Sequence, residues 1–224
     1  MQNLIRDSLL LGAQINITIT PAGYYPEETR DTEPEDVQTP DIEPTYKPMP
    51  DGAVFAIGGH DIEYRFIPHG PVVTCVPTAA LPQCKPFDKL GDSNEWKTSS
   101  LRHWLNHEFW LESMPDELKR DIVPTKHDGV EDLVWLPTEA EVFGSAIFSN
   151  KELATGEARL FDTKTSRRIR DTNGEPRWWW TRSANSVSPN HVPIITPDGA
   201  VDYRSAGGAT GGVLPCFNLP RESA

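Results

Sequence analysis

Hydrophobic and polar positions alternate with a period of two in several parts of the chain. Near the N-terminus, every second residue from 15 to 19 is isoleucine and the residues between them are polar, which predicts a strand. The same alternation recurs over residues 62–66, between apolar runs at 54–57 and 72–76. These segments predict three consecutive strands, the first two joined by a turn over residues 58–61.

The hydrophobic spacing becomes helical between residues 96 and 110. Leu101, Trp104, Leu105 and Phe109 follow one another at intervals of three and four residues, and Ser99 or Ser100 precedes them as a cap. We therefore predict an amphipathic helix whose Leu101, Trp104 and Leu105 side chains lie in the core.

Further short elements follow this helix. We predict a second helix over residues 115–122 with Ser113 as its cap, a strand over 132–137, and a helical turn over 138–144. Residues 149–176 are polar and irregular and end in an Asn-Gly turn.

Three consecutive tryptophans, Trp178 to Trp180, begin the last part of the chain on a predicted strand. Alternate side chains of a strand point to opposite faces, so we expect Trp179 to differ in burial from Trp178 and Trp180. An exposed ring would be a stacking platform for a sugar or a protein, whereas buried rings would be core packing. A Pro-Asp-Gly turn between two strands and a flexible glycine-rich loop over 207–212 follow.

The first 51 residues differ in character from the rest. Residues 1–20 predict an apolar anchoring segment, and residues 21–51 predict an extended spacer with seven prolines and nine carboxylates. Residues 1–51 carry three basic and ten acidic side chains, a net of −7 out of −12 for the chain. The acidity therefore belongs mostly to the spacer, and a globular domain is expected over 52–220.

Composition and charge exclude several classes of function. A net charge of −12 disfavours nucleic-acid binding, which needs clustered Lys and Arg. The sequence has no run of eighteen apolar residues, so we predict no membrane span. The N-terminus also lacks the basic residues that begin a signal peptide. Three cysteines argue against a disulfide framework and favour a reducing cytoplasm, although a bridge between Cys75 and Cys84 stays open.

Local motifs do not predict catalysis. His103 and His107 are spaced to chelate a metal on a helix, but no third ligand is suggested, and we interpret them as residues of a polar face. The glycine-rich loop lacks the Lys-Ser/Thr of a phosphate loop, and neither a nucleophile elbow nor a Cys–His pair is found. We expect no catalytic residue, no metal and no cofactor.

Five motifs occur in a characteristic order: WKTSSLRHWLN at residues 96–106, DLVWLPTEAEVFG at 132–144, WWWTRS at 178–183, PDGAV at 197–201 and GGVLPCFNL at 211–219. In this order they resemble a C-type-lectin-like domain family of unassigned function, found in phages and gut bacteria. The resemblance covers about residues 52–220. It implies an α+β fold with a twisted antiparallel sheet, two helices, long loops, and first and last strands close together. Leu214 and Cys216 replace the arginine and alanine usual in the family.

Two functional branches of this fold are disfavoured by the residues present. The formylglycine-generating enzymes need a cysteine pair in the C-terminal half, where this chain has only Cys216. Calcium-dependent lectins use a Glu-Pro-Asn or Gln-Pro-Asp loop and a Trp-Asn-Asp strand. Here Ser188 stands before Pro189 and Asn190, without the carboxylate, and Thr181 follows Trp180. With these two branches disfavoured, we expect the domain to be a binding or structural module.

Our hypothesis from the sequence is therefore that this chain is a non-enzymatic phage virion protein, assembled in the host cytoplasm. Residues 1–50 would bind other virion proteins in a multi-copy assembly, and the domain would decorate the particle or recognise a host glycan or protein. The alternatives are a capsid- or tail-stabilising protein without an external ligand, and a bacterial surface protein. The candidate ligand-binding residues are Trp178, Trp180, Asn185, Ser188, Asn190, His191, Tyr203, Arg204 and Ser205.

Overall fold

The computed structural model describes residues 52–127, 129–149 and 159–221. The predicted strand at 15–19, the anchoring segment 1–20 and the spacer 21–51 lie outside the described residues. Groups of mostly antiparallel strands are separated by a few short helices along the described chain, which is consistent with the α+β class.

The described strands, in chain order, are β1 (Val54–Ile57), β2 (His60–His69), β3 (Val72–Pro77), β4 (Ala79–Ala80), β5 (Thr125–His127), β6 (Val130–Asp132), β7 (Arg170–Asp171), β8 (Trp179–Trp180), β9 (His191–Ile195), β10 (Val201–Ser205) and β11 (Phe217–Pro220). The described helices are α1 (Ser100–Trp104), α2 (Trp110–Ser113), α3 (Asp116–Asp121) and α4 (Glu139–Phe143). A 3₁₀ turn over Trp96–Thr98 precedes α1, and a π-helical turn over Leu105–Phe109 joins α1 to α2.

The largest described sheet is antiparallel in the order β1-β2-β3-β11. β1 and β2 form a hairpin with only Gly58 and Gly59 between them, both at positive φ, so the turn is shorter than predicted. β11 pairs with β3, with Phe217 opposite Cys75. The first and last strands form opposite edges of this sheet and do not pair, but they are close together as expected, since the ring centroids of Phe55 and Phe217 are 6.3 Å apart.

A second sheet has the order β10-β9-β8. Its hairpin turns at Pro-Asp-Gly, with Gly199 at a φ of 80°, as predicted. The strand predicted over 132–137 does not form. β6 ends at Asp132, and within 133–137 Trp135 makes an isolated bridge to Cys216.

The helical segment agrees with the sequence pattern in most respects. Ser99 caps α1, since its Oγ accepts a hydrogen bond from Arg102 N, and Leu101 and Leu105 are buried. Trp104 packs against the core, 5.2 Å from the buried Phe109 ring, but it is only partly buried, with the Lys85 ammonium 4.8 Å from its ring centroid; it therefore lies at the edge of the core and not inside it.

The cap predicted for the next helix is also wrong. Ser113 ends α2, and Pro115 occupies the N-cap position of α3 without a side-chain hydrogen bond.

The tryptophan run does not alternate as predicted. Trp179 and Trp180 are both fully buried, and Trp178 is partly buried. The physical reason is that both faces of β8 are covered: Trp179 packs on Phe161 at a ring distance of 5.3 Å, and Trp180 packs on Phe87 at 5.9 Å.

The three cysteines are free, so the possible bridge between Cys75 and Cys84 does not form. Cys75 and Cys216 are buried in adjoining strand segments, and burial raises the pKa of both thiols. Both therefore behave as small apolar core residues.

Candidate recognition surface

The first of the five motifs, at residues 96–106, supports the core. Trp96 Nε1 and Arg102 Nε donate to the buried carboxylate of Asp132, at 2.8 and 2.6 Å. Asn106 completes the arrangement, because its Oδ1 accepts from the backbone N–H groups of Leu133 and Val134. These side chains hold the segment after β6 in place and are not free for a ligand.

A second scaffold joins α4 to the segment after the tryptophan run. Thr138 and Glu141 form a reciprocal capping box at the start of α4. Arg182 Nη2 lies 3.2 Å from Glu141 Oε1, and both side chains are buried. In addition, Ser183 Oγ accepts from Glu139 N at 2.8 Å. The Thr-Arg-Ser sequence at 181–183 therefore serves packing.

The loop after α4 is held from inside by one buried carboxylate. Glu139 is fully buried, and its Oε2 accepts from the backbone N–H groups of Ile147, Phe148 and Ser149 at 2.9–3.1 Å. Ser149 Oγ donates to the same oxygen at 2.7 Å. A carboxylate that collects several charge-assisted hydrogen bonds fixes the backbone of this loop.

The loop over residues 185–191 is fixed in a similar way by Asn94. The buried Nδ2 of Asn94 lies within 3.0 Å of the carbonyl oxygens of Asn185, Ser188 and His191. Asn185 is also buried, and its Oδ1 accepts from Val187 N and Ser188 N. Asn185, predicted as a ligand contact, therefore shapes the loop from within.

The two loops meet at Tyr203 on β10. The Tyr203 ring lies 5.2 Å from Phe148 and 5.5 Å from His191, both edge to face. Ser186 links the loops directly, since its N and Oγ donate to Phe148 O at 2.9 and 2.8 Å.

Apolar side chains are unusually exposed where these loops meet. Val187 is 87% exposed, Ile147 49% and Tyr203 46%. We call the set Ile147, Phe148, Val187, His191 and Tyr203 the Tyr203 surface. Exposed apolar residues gathered on fixed loops are typical of interaction sites.

Polar groups border this surface. Ser188 Oγ, Asn190 Oδ1 and His191 Nδ1 lie within 2.7–3.0 Å of one another, and all three residues are partly exposed. Their mutual contacts orient the imidazole ring while the side chains remain near solvent. The structure thus brings together Ser188, Asn190, His191 and Tyr203 from the predicted set.

The other residues predicted to bind a ligand lie outside the set that forms the Tyr203 surface. Trp180 cannot offer a stacking ring, because it is fully buried and its Nε1 donates to Lys85 O at 3.0 Å. Trp178 is partly buried, and the Arg204 guanidinium lies 5.1 Å from its ring centroid. Ser205 is exposed at the end of β10, where alternation places it on the same strand face as Tyr203.

The end of the glycine-rich loop, at Gly211 and Gly212, is packed in the interior, whereas residues 207–210 are mostly exposed. Gly211 is buried under the tryptophans, and a Cβ added there would lie 2.7 Å from Trp180 Nε1. Glycine is required at this position because the ring and the backbone approach so closely.

Sequence reasoning missed Ile147, Phe148 and Val187. The available signal was their apolar character within polar segments, Gly-Ser-Ala before Ile147 and Asn-Ser before Val187. The roles of Asn94 and Glu139 had no signal in the sequence, because their partners are backbone atoms of other segments.

The described residues hold no metal-ligating cluster of three or more His, Cys, Asp or Glu side chains. His103 and His107 are exposed, with ring centroids 4.2 Å apart. Among the same residues, no helix has the length and apolar character needed to cross a membrane.

Comparison with known proteins gives a family and no function. No curated protein is significantly similar to the chain. No solved structure matches it significantly either. The family described as Domain of unknown function (DUF6273) matches residues 81–221, from just after β4 to just after β11. Because this match covers more than half of the chain, the protein belongs to the DUF6273 family.

Proposed function

We propose that this protein is a non-enzymatic recognition module that binds a partner through the Tyr203 surface. The observation that carries the proposal is the internal fixing of two loops, by Glu139 and by Asn94, under exposed apolar side chains. A surface ordered before binding loses less conformational entropy when it binds. Tyr beside Ser, Asn and His is also the mixture found in adaptable paratopes.

The domain is proposed to be C-type-lectin-like. An antiparallel sheet with short helices, long loops and the five motifs in order supports this assignment. Since a fold of this kind serves many functions, the assignment limits the architecture and leaves the ligand to the Tyr203 surface.

The biological setting is proposed to be a phage particle. Residues 1–50 would attach the chain to capsid or tail proteins, and residues 52–220 would be displayed outward in many copies. The acidic, proline-rich composition of residues 21–51 supports a tether between these parts. Deletion of residues 1–50 should abolish incorporation into particles, and unchanged incorporation would exclude the anchor.

The proposed partner is a saccharide or protein of the host cell surface. The Tyr203 ring offers a stacking face, and Ser188, Asn190 and His191 offer hydrogen-bonding groups beside it. The test is binding of the full-length chain to a glycan array and to host cells.

The variants for this test are Tyr203→Ala and Val187→Ala, with Leu111→Ala as the matched control. Leu111 is 70% exposed but lies on α2, beside the β1–β2 turn. Loss of a binding hot spot should weaken binding at least tenfold, about 1.4 kcal/mol. Equal binding by all three variants would exclude the Tyr203 surface as the site.

A capsid- or tail-stabilising protein is the second candidate. An exposed apolar surface also fits a neighbouring virion protein. In that case Tyr203→Ala would weaken attachment to particles, and the wild-type chain would bind neither glycans nor host cells.

A further inference from the structure

A small polar cavity lies away from the Tyr203 surface. It is a partly open pocket lined by residues of β3, β5, β11 and the segment around α4, and its volume is about 120 Å³. Its wall includes Lys126, His127, Trp135, Glu141 and Asn218. We call it the Trp135 cavity.

Two buried nitrogen atoms in this wall have no hydrogen-bond partner within the described part of the chain: His127 Nε2 and Trp135 Nε1. His127 is 6% exposed and Trp135 is 2% exposed. Buried polar atoms are normally paired, and an indole N–H can only donate. The wall therefore needs an acceptor.

The acceptors of the wall itself are already engaged. Glu141 Oε2 accepts from Thr138 N at 2.6 Å, and Glu141 Oε1 faces Arg182 at 3.2 Å. Asn218 Oδ1 accepts from Thr74 Oγ1, and Asn218 Nδ2 donates to Thr125 Oγ1 at 2.7 Å. The second hydrogen of the Asn218 amide has no acceptor among the described residues, so donors outnumber free acceptors in the described wall.

The charged groups around the cavity also favour a ligand that accepts hydrogen bonds and carries negative charge. Lys126 belongs to the wall, and the Arg182 guanidinium lies 5.7 Å from the Trp135 ring centroid. Burial and then the charges of Arg182 and Arg102 lower the pKa of His127, so both guanidinium groups disfavour a positive charge on its imidazole. The one carboxylate in the wall, Glu141, is paired with Arg182.

We propose that the Trp135 cavity binds a small free oxyanion of the size of acetate or nitrate. A volume of about 120 Å³ leaves room for an anion of about four non-hydrogen atoms. Its oxygens would accept from Trp135 Nε1, from the Asn218 amide and from His127 Nε2. The anion would thereby connect β5, the segment between β6 and α4, and β11.

NMR of the ¹⁵N-labelled full-length chain tests this proposal. Sodium acetate and sodium nitrate are titrated against sodium chloride at constant ionic strength, and the Trp135 indole signal is assigned from Trp135→Phe. The proposal predicts a saturable shift of this signal with acetate or nitrate. The indole of Trp180, already bonded to Lys85 O, should stay unchanged. A Trp135 signal that does not move, or that moves equally with chloride, overturns the proposal.

Thermal unfolding gives a second test. A ligand that binds only the folded state raises Tm with its concentration, so acetate should raise Tm of the wild type more than chloride does. Trp178→Phe is the matched control and should keep this rise, whereas Trp135→Phe should lose it. The same rise in both variants overturns the proposal. If Trp135→Phe does not fold, the wild-type NMR titration decides.

Discussion

Asp132 shows how one buried residue supports the first motif. Its carboxylate accepts from Trp96 and Arg102 and is closed off from solvent. Asp132→Ala should lower the free energy of unfolding by about 3–5 kcal/mol, because the guanidinium and the indole lose their acceptor. Urea denaturation measures this change. The control is Asp198→Ala, which removes an exposed pair with Lys164 and should change stability little; equal losses would contradict the assigned role of Asp132.

His127 should make the protein sensitive to acid. Burial, followed by the charges of Arg182 and Arg102, lowers its pKa from 6.5 to about 2. Above the unfolded pKa of 6.5, the imidazole is neutral in both states. Below it, only the unfolded chain takes up the proton, so the free energy of unfolding falls by about 1.4 kcal/mol per pH unit, until the folded pKa is reached.

The measurement is urea denaturation at about pH 7 and about pH 5 in wild type and His127→Gln. The wild type should lose about 2 kcal/mol more than the variant over this interval. His103→Gln, a change at an exposed histidine, should behave like the wild type. If His127→Gln shows the same acid sensitivity as the wild type, the imidazole of His127 is not buried in neutral form.

At the scale of elements, Asn94 decides the shape of a whole loop. Asn94→Ala removes the donor shared by three carbonyl groups of residues 185–191. Amide hydrogen exchange in this loop should become about tenfold faster or more, because opening no longer breaks these bonds. Exchange detected by mass spectrometry measures it, with Asn173→Ala in an exposed turn as control. Unchanged exchange in Asn94→Ala would show that other contacts hold the loop.

Elements with local signals were predicted well, and elements with distant partners were not. The Ser99 cap depends on a neighbour three residues away, and so could be read from the sequence. The predicted strand over 132–137 failed because Asn106 Oδ1 binds the N–H groups of Leu133 and Val134. A side chain of a helix thus takes the donors that a sheet partner would have used.

At the scale of the molecule, the domain is larger than the family match. The match begins at residue 81, yet β3 pairs with β11 and Tyr64 OH donates to Pro215 O at 3.3 Å. Residues 81–224 alone should therefore fail to unfold cooperatively, because β11 and its core contacts lose their partner. Residues 52–224 should show a cooperative thermal transition by circular dichroism. A cooperative transition for residues 81–224 would mean that β1–β3 are dispensable.

The sequence by itself determined the features that depend on near neighbours. These are the α+β class, the β1–β2 hairpin, the Pro-Asp-Gly turn and the cap at Ser99, since a few adjacent side chains and backbone angles settle each of them. The tertiary structure decided which rings are buried and where a surface forms. Tyr203 meets Phe148, and Asn94 meets the loop over residues 185–191, only after segments far apart in sequence have packed. Periodicity describes one element at a time, whereas these contacts depend on how the elements pack together.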